Sequence, residues 1–163
     1  MRVLKPTYYD KFECIANKCS DSCCIGWRIE IDKSSFKHYR KVKGEFGEIL
    51  NKGIRKNRND NNIFSYGIMN LTKDQRCSLL NKDNLCNIYI NLGSDYLCNT
   101  CKIYPRNLEK YRNIVERNLS LSCPEVAKLL INEKEKMTFA MEEEILSNLD
   151  FNNMHEMQID EII

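Results

Sequence analysis

Trp27, Ile29 and Ile31 alternate with Arg28 and Glu30, the period-two pattern of a strand with one face buried. Asp32 follows as a helix N-cap, and the spacing predicts a helix through about residue 42 with Phe36 and Tyr39 on its inner side. Phe46, Ile49, Leu50 and Ile54 recur at helical spacing and predict a second helix. The polar, asparagine-rich run 54–64 reads as a loop about as long as compact domains tolerate. Phe64, Tyr66 and Ile68 alternate again and predict a strand leading toward Cys77. Leu85, Ile88, Tyr89 and Leu92 form one helical face ending at Gly93. Cys86 then stands at a helix start, where backbone amides stabilise a thiolate.

Further on, Val115, Leu119 and Leu121 predict an extended segment. Ser122 and Glu125 have the spacing of a capping box, with Pro124 tolerated in the first turn, and put Cys123 at another helix start. That helix carries Val126, Leu129 and Leu130 inward and continues, with a break, to Leu149. The tail beyond Asp150, with Met154, Met157, Ile159 and Ile162 among acids, reads as frayed or as a docking surface. The expected fold is α+β: a mostly helical small domain with a few short strands, organised around a cysteine-rich metal or iron–sulfur centre.

The reason for expecting a centre is the nine cysteines in 163 residues. Disulfide scaffolds belong to oxidising compartments, and the opening MRVLKPTYYDKFEC is charged and lacks the apolar stretch of a secretory signal. The chain is therefore expected in the reducing cytoplasm. One isolated cysteine reads as a small core hydrophobe. The cluster Cys14, Cys19, Cys23 and Cys24, followed by Cys77 and Cys86, then Cys101 and Cys123, reads instead as metal-ligating thiolates. Four-thiolate sites suit both zinc and iron–sulfur clusters. Zinc ribbons usually show two C-x2-C knuckles and this chain has one, Cys98 to Cys101, while the ferredoxin run C-x2-C-x2-C is missing. Because the adjacent Cys23 and Cys24 cannot easily aim both sulfurs at one centre, eight thiolates make either two four-cysteine sites or one cluster with structural neighbours.

The runs FECIANKCSDSCCIGWRIEIDKSSFKHY (12–39), RCSLLNKDNLCNIYINLGSDYLCNTCKIYPR (76–106) and LSLSCPEVAKLLI (119–131) resemble, in this order, the cysteine-rich part of the flagellin lysine-N-methylase family. That family is similar in turn to the broader YkgJ-type zinc- or iron-chelating cysteine-cluster proteins. The resemblance implies a 4Fe-4S cluster, with zinc as the alternative, and methyl transfer from S-adenosylmethionine to the lysines of flagellin or another lysine-rich protein. Within it Cys98 is the odd ninth thiol. Members of the family are considerably longer than this chain, so residues 1–131 are expected to be the cysteine-cluster domain and 132–163 an acidic helical tail of an incomplete C-terminal region. A non-catalytic chelating or interaction module is the other reading.

A mean hydropathy of −0.53 and the lack of any long apolar run argue against a membrane span. Net charge is +2 but segregated. Between 33 and 58 nine basic residues face only Glu45 and Glu48, whereas beyond 131 nine acids outnumber two lysines. The basic stretch has few aromatics for base stacking and no nucleic-acid motif, so it reads as a solvated helix surface rather than a nucleic-acid face. The acidic tail reads as a solubilising surface or as an attractor of substrate cations.

Methylating lysine requires the neutral amine, hence a site that removes a proton. Tyr104 and Arg106, just beyond Cys101, are the candidate cofactor-binding groups, with core packing the competing reading for Tyr104. Trp27 and Asp32 read as core and cap, and neither His38 nor His155 reads as a ligand or base. The six glycines never form the G-x-G of a Rossmann nucleotide loop. The methyl donor is therefore expected to bind in an unusual way near the cluster, or outside this chain.

Overall fold

A computed structural model describes residues 1–60 and 62–156. In chain order its elements are β1 (Arg2–Pro6), β2 (Glu30–Ile31), α1 (Lys33–Tyr39), α2 (Gly44–Gly53), β3 (Ile54–Lys56), β4 (Gly67–Met69), α3 (Asn87–Leu92), α4 (Asn99–Ile103), β5 (Arg106–Tyr111), β6 (Ile114–Leu119), α5 (Pro124–Ile131), β7 (Phe139–Glu143), α6 (Asn148–Asn153) and β8 (Met154–Glu156). The chain forms two compact units, residues 16–102 on the one hand and residues 1–15 with everything from 103 onward on the other. The expected α+β class holds. The expectation of a mostly helical domain does not, because the helices are short and the strands build two sheets, of five and three strands.

In the 16–102 unit, Asp32 caps α1 as its spacing predicts, its Oδ1 accepting from Ser35 N at 2.9 Å. Its Oδ2 also accepts from Asn99 N at 3.1 Å, so one carboxylate anchors the starts of two helices. Phe36 and Tyr39 are buried as expected. The three-stranded antiparallel sheet runs β2-β4-β3, with Glu30 opposite Ile68 and Ile54 opposite Met69. Its apolar face joins α1, α2 and α3 through Ile29, Ile31, Leu50, Leu79 and Ile88, each at most 1% exposed. Burial of each such side chain is worth about 1.5–3 kcal/mol. Gly67 is required at the sheet centre, because a Cβ there would lie 2.2 Å from the Phe36 ring.

Several predictions of pattern fail locally. Trp27 is not core: it is 36% exposed and donates through Nε1 to Cys23 O at 2.7 Å, so the strand begins only at Glu30. In α2, Leu50 faces inward, but Ile49 is 41% exposed and Ile54 begins β3 rather than extending the helix. The run read wholly as loop thus opens with a strand and contains a buried Asn57, whose Nδ2 donates to Ser65 O and Oγ, both at 2.9 Å.

The other unit is built on the five-stranded mixed sheet β7-β1-β6-β5-β8. The β5–β6 hairpin pairs Arg106 with Leu119 through Tyr111 with Ile114. β1 lies parallel to β6, and β7 pairs antiparallel to β1. Val3, Leu108, Val115 and Leu146 form one core cluster, and Tyr8, Tyr9, Phe12, Leu119, Cys123 and Val126 another. The helix opened at Cys123 ends at Ile131 and does not reach Leu149, since β7 intervenes. The capping box is also absent. Cys123 occupies the N-cap without a side-chain cap bond, and Ser122 Oγ bonds Ser120 and Tyr104 instead. Of the tail residues, Met157, Ile159 and Ile162 lie outside the described residues.

Candidate metal centre

Six thiols gather within the 16–102 unit because backbone pairing draws their segments together. Cys77 N donates to Cys24 O at 2.7 Å, next to an antiparallel bridge between Ile25 and Arg76. Further bridges join Leu71 to Cys77 and Leu80 to Cys86, and Cys86 is the N-cap of α3. Cys98 precedes α4, is fully buried, and turns its sulfur toward Glu30 O of β2 at 3.6 Å. Cys24, Cys77, Cys86, Cys98 and Cys101 all belong to one hydrophobic core, and Cys23 adjoins Cys24.

Their electrostatics are interlocked. The Cys24 thiol bonds the Cys23 sulfur, which brings Cys23 down to about 7 and, with burial, pushes Cys24 up. Cys101 bonds Cys98 in the same way, favouring the Cys98 thiolate and raising Cys101. Burial pushes Cys77 up to about 11 and raises Cys86. Charge on Cys86 further raises Cys24, Cys77 and Cys101, and charge on Cys98 further raises Cys77, Cys86 and Cys101. Tyr39, whose hydroxyl donates to Tyr96 O at 2.6 Å, is held protonated by burial and by the neighbouring Cys98 and Cys101.

All nine cysteines are free thiols. Among the described residues no three Cys, His, Asp or Glu side chains are arranged as a formed metal site. The donor set nevertheless fits a soft metal centre in kind: five thiols share one apolar environment, and Cys98 among them and Cys23 beside them have pKa values below the ordinary thiol range. Of the remaining sequence candidates, Cys19 lines a cleft in the same unit. Cys14 is exposed and Cys123 is buried against Phe12 and Val126, both in the other unit. Tyr104 and Arg106 also belong to that unit. Tyr104 bonds Ser122 at 3.1 Å, and the Arg106 guanidinium lies over the Phe12 ring, 5.2 Å from its centroid. Cys98, the odd thiol on the family pattern, lies buried in the same core as Cys101, as their C-x2-C spacing allows.

No helix among the described residues is long and apolar enough to cross a membrane. No protein-family profile matches the chain, and no solved structure does. The flagellar biosynthetic protein FliU of Salmonella muenchen is 34% identical over 142 residues, which cover 83% of this chain and 80% of that protein. The lysine-N-methylases of Salmonella typhimurium (strain LT2) and Salmonella choleraesuis (strain SC-B67) are 31% and 32% identical over 155 residues, 92% of this chain. The match covers 37% of each methylase, so the chain spans little more than a third of their length.

Proposed function

This chain belongs to the family of the flagellar biosynthetic protein FliU and the lysine-N-methylases, and from that membership we propose that it acts in methylating lysines of a protein, flagellin being the substrate. The donor in this reading is S-adenosylmethionine, and the setting is the cytoplasm. The lone pair of a neutral lysine amine attacks the donor's methyl carbon, the carbon–sulfur bond breaks, and the amine proton leaves; S-adenosylhomocysteine is the other product. The observation that carries the reading is the alignment along 92% of this chain with proteins named for lysine methylation.

A 4Fe-4S cluster, or zinc, is proposed as the centre of the cysteine-cluster part. The thiols that the family pattern implies as holders are Cys14, Cys19, Cys23, Cys24, Cys77, Cys86, Cys101 and Cys123; of these, Cys24, Cys77, Cys86 and Cys101 share one core, with Cys23 next to Cys24 and Cys98 in the same core. Such a centre would supply soft-ligand cohesion to a core of short elements and, for iron, a redox couple. Tyr104 and Arg106 stay candidates for cofactor contact through the part of the chain that follows Cys101.

A second reading is favoured by the FliU match, which covers 80% of a relative named for flagellar biosynthesis rather than for methylation. In it, the chain is a non-catalytic chelating module that binds a flagellar partner. The test is methyl transfer from labelled S-adenosylmethionine to purified flagellin by the anaerobically prepared chain. Labelled lysine supports the enzyme reading. An intact metal centre with no transfer, at any flagellin concentration, rejects methylation by this chain alone, and flagellin bound without transfer supports the module.

A further inference from the structure

One cleft carries charged side chains that the metal reading does not use, with Cys19 the one thiol on its wall. It measures about 220 Å³ and lies wholly within the 16–102 unit, walled by Cys19, Ser20, Asp21 and Ser22 on one side and by Arg76 and Asn84 on the other. The two walls are fixed to each other by the Ile25–Arg76 bridge and by Gly26 N donating to Gln75 O at 2.9 Å. Arg76 Nη2 donates to Asn84 Oδ1 at 2.6 Å, which steadies the guanidinium and leaves its other N–H groups facing no protein acceptor among the described residues. Asp21 Oδ1 accepts from Ser22 N at 2.8 Å, which fixes the carboxylate and leaves Oδ2 open.

Among the described residues neither charge has an ion-pair partner, and although they share the cleft they do not pair with each other. Two opposite charges held apart in one small polar cleft are complementary to a ligand that carries both charges at one end. A guanidinium offers a planar fork that matches a carboxylate, while an aspartate with an open oxygen accepts from an ammonium group. The hydroxyls of Ser20 and Ser22 add donors and acceptors between them. The volume is below the ~300–1,000 Å³ that encloses a drug-sized ligand, so it suits a head group rather than a whole nucleoside conjugate. On the wall of the second cavity, about 260 Å³, Lys11 and Glu133 already pair with each other, and Glu135 and Lys136 add charge without a guanidinium fork.

We propose that this cleft binds an α-amino-acid head group, with its carboxylate on Arg76 and its ammonium on Asp21. Resting on the function proposed above, that head is the methionine end of S-adenosylmethionine; a free amino acid is the other source of the same chemistry. Calorimetric titration of the full chain with S-adenosylhomocysteine, L-methionine and 5′-methylthioadenosine tests it. The expected result is that S-adenosylhomocysteine binds, that methylthioadenosine, which lacks the head, binds at least about tenfold more weakly, and that Arg76→Gln and Asp21→Asn each weaken S-adenosylhomocysteine at least about tenfold, the loss of a charge-assisted hydrogen bond. Asp21 is exposed, so its variant carries the test even where Arg76→Gln perturbs folding by circular dichroism. L-methionine binding as tightly as S-adenosylhomocysteine, with the same dependence on both residues, supports the cleft and assigns it to a free amino acid. Binding of S-adenosylhomocysteine that ignores both substitutions overturns the cleft while leaving the methyl-donor reading intact. Absence of binding by all three ligands overturns the cleft as well.

Discussion

At the residue scale, single atoms decide which positions tolerate change. A methyl group at Gly67 would collide with the Phe36 ring, which is itself locked between the sheet and Tyr66 at an edge-on 5.5 Å. Gly67→Ala should therefore destabilise the chain by about 1–3 kcal/mol in urea unfolding, the usual cost of overpacking; an unchanged midpoint would show the ring free to move. Lys5 is a second such position. Its ammonium lies 2.8 Å from Asp10 and 2.9 Å from Glu142, and these bonds raise its pKa above the ordinary lysine value. Because the folded value is the higher one, the stabilisation is fully present below the unfolded lysine pKa and is lost only as pH rises through the folded pKa. Lys5→Met should cost about 1 kcal/mol equally at pH 7 and pH 9. A penalty already gone at pH 9 would contradict the assignment. Residue-level roles were unevenly legible. The cap at Asp32 follows from its position before an amphipathic run, whereas the exposure of Trp27 does not, because its partner is the carbonyl of Cys23 and no periodicity encodes that bond.

At the element scale, periodicity located α1, α2, α3 and α5 but not their ends. Phe46, Ile49, Leu50 and Ile54 share helical spacing, yet the chain leaves the helix at Gly53 because Ile54 pairs with Met69 in the sheet. The contrast within α2 makes a sharp test: Leu50→Ala should cost about 2–5 kcal/mol and Ile49→Ala within about 0.5 kcal/mol, measured by chemical denaturation. Equal losses would mean that α2 packs with a different face. β1, β5 and β7 were not legible at all. β1 is held by partners more than a hundred residues away, and β7 is largely exposed on both faces, so neither shows the alternation that marks a half-buried strand. Sheet pairing of that kind is a tertiary fact, and it is why a mostly helical expectation gave way to a mixed one.

At the scale of the whole molecule, the sequence announced the thiols and the fold explains how segments scattered from Cys23 to Cys101 come to share one core. Spacing paired Cys98 with Cys101, as the core bears out, but could not say which thiols fall in which unit. The central proposal is that the thiols of the 16–102 unit, Cys86 among them, hold a soft metal centre. The most direct measurement is visible absorption with metal analysis on the anaerobically purified full chain, compared with its Cys86→Ser variant. The account predicts bound metal, brown for an iron–sulfur cluster or colourless for zinc, with most of it lost in the variant. A folded chain that carries no metal, with all nine thiols free to react with a thiol reagent, would contradict it.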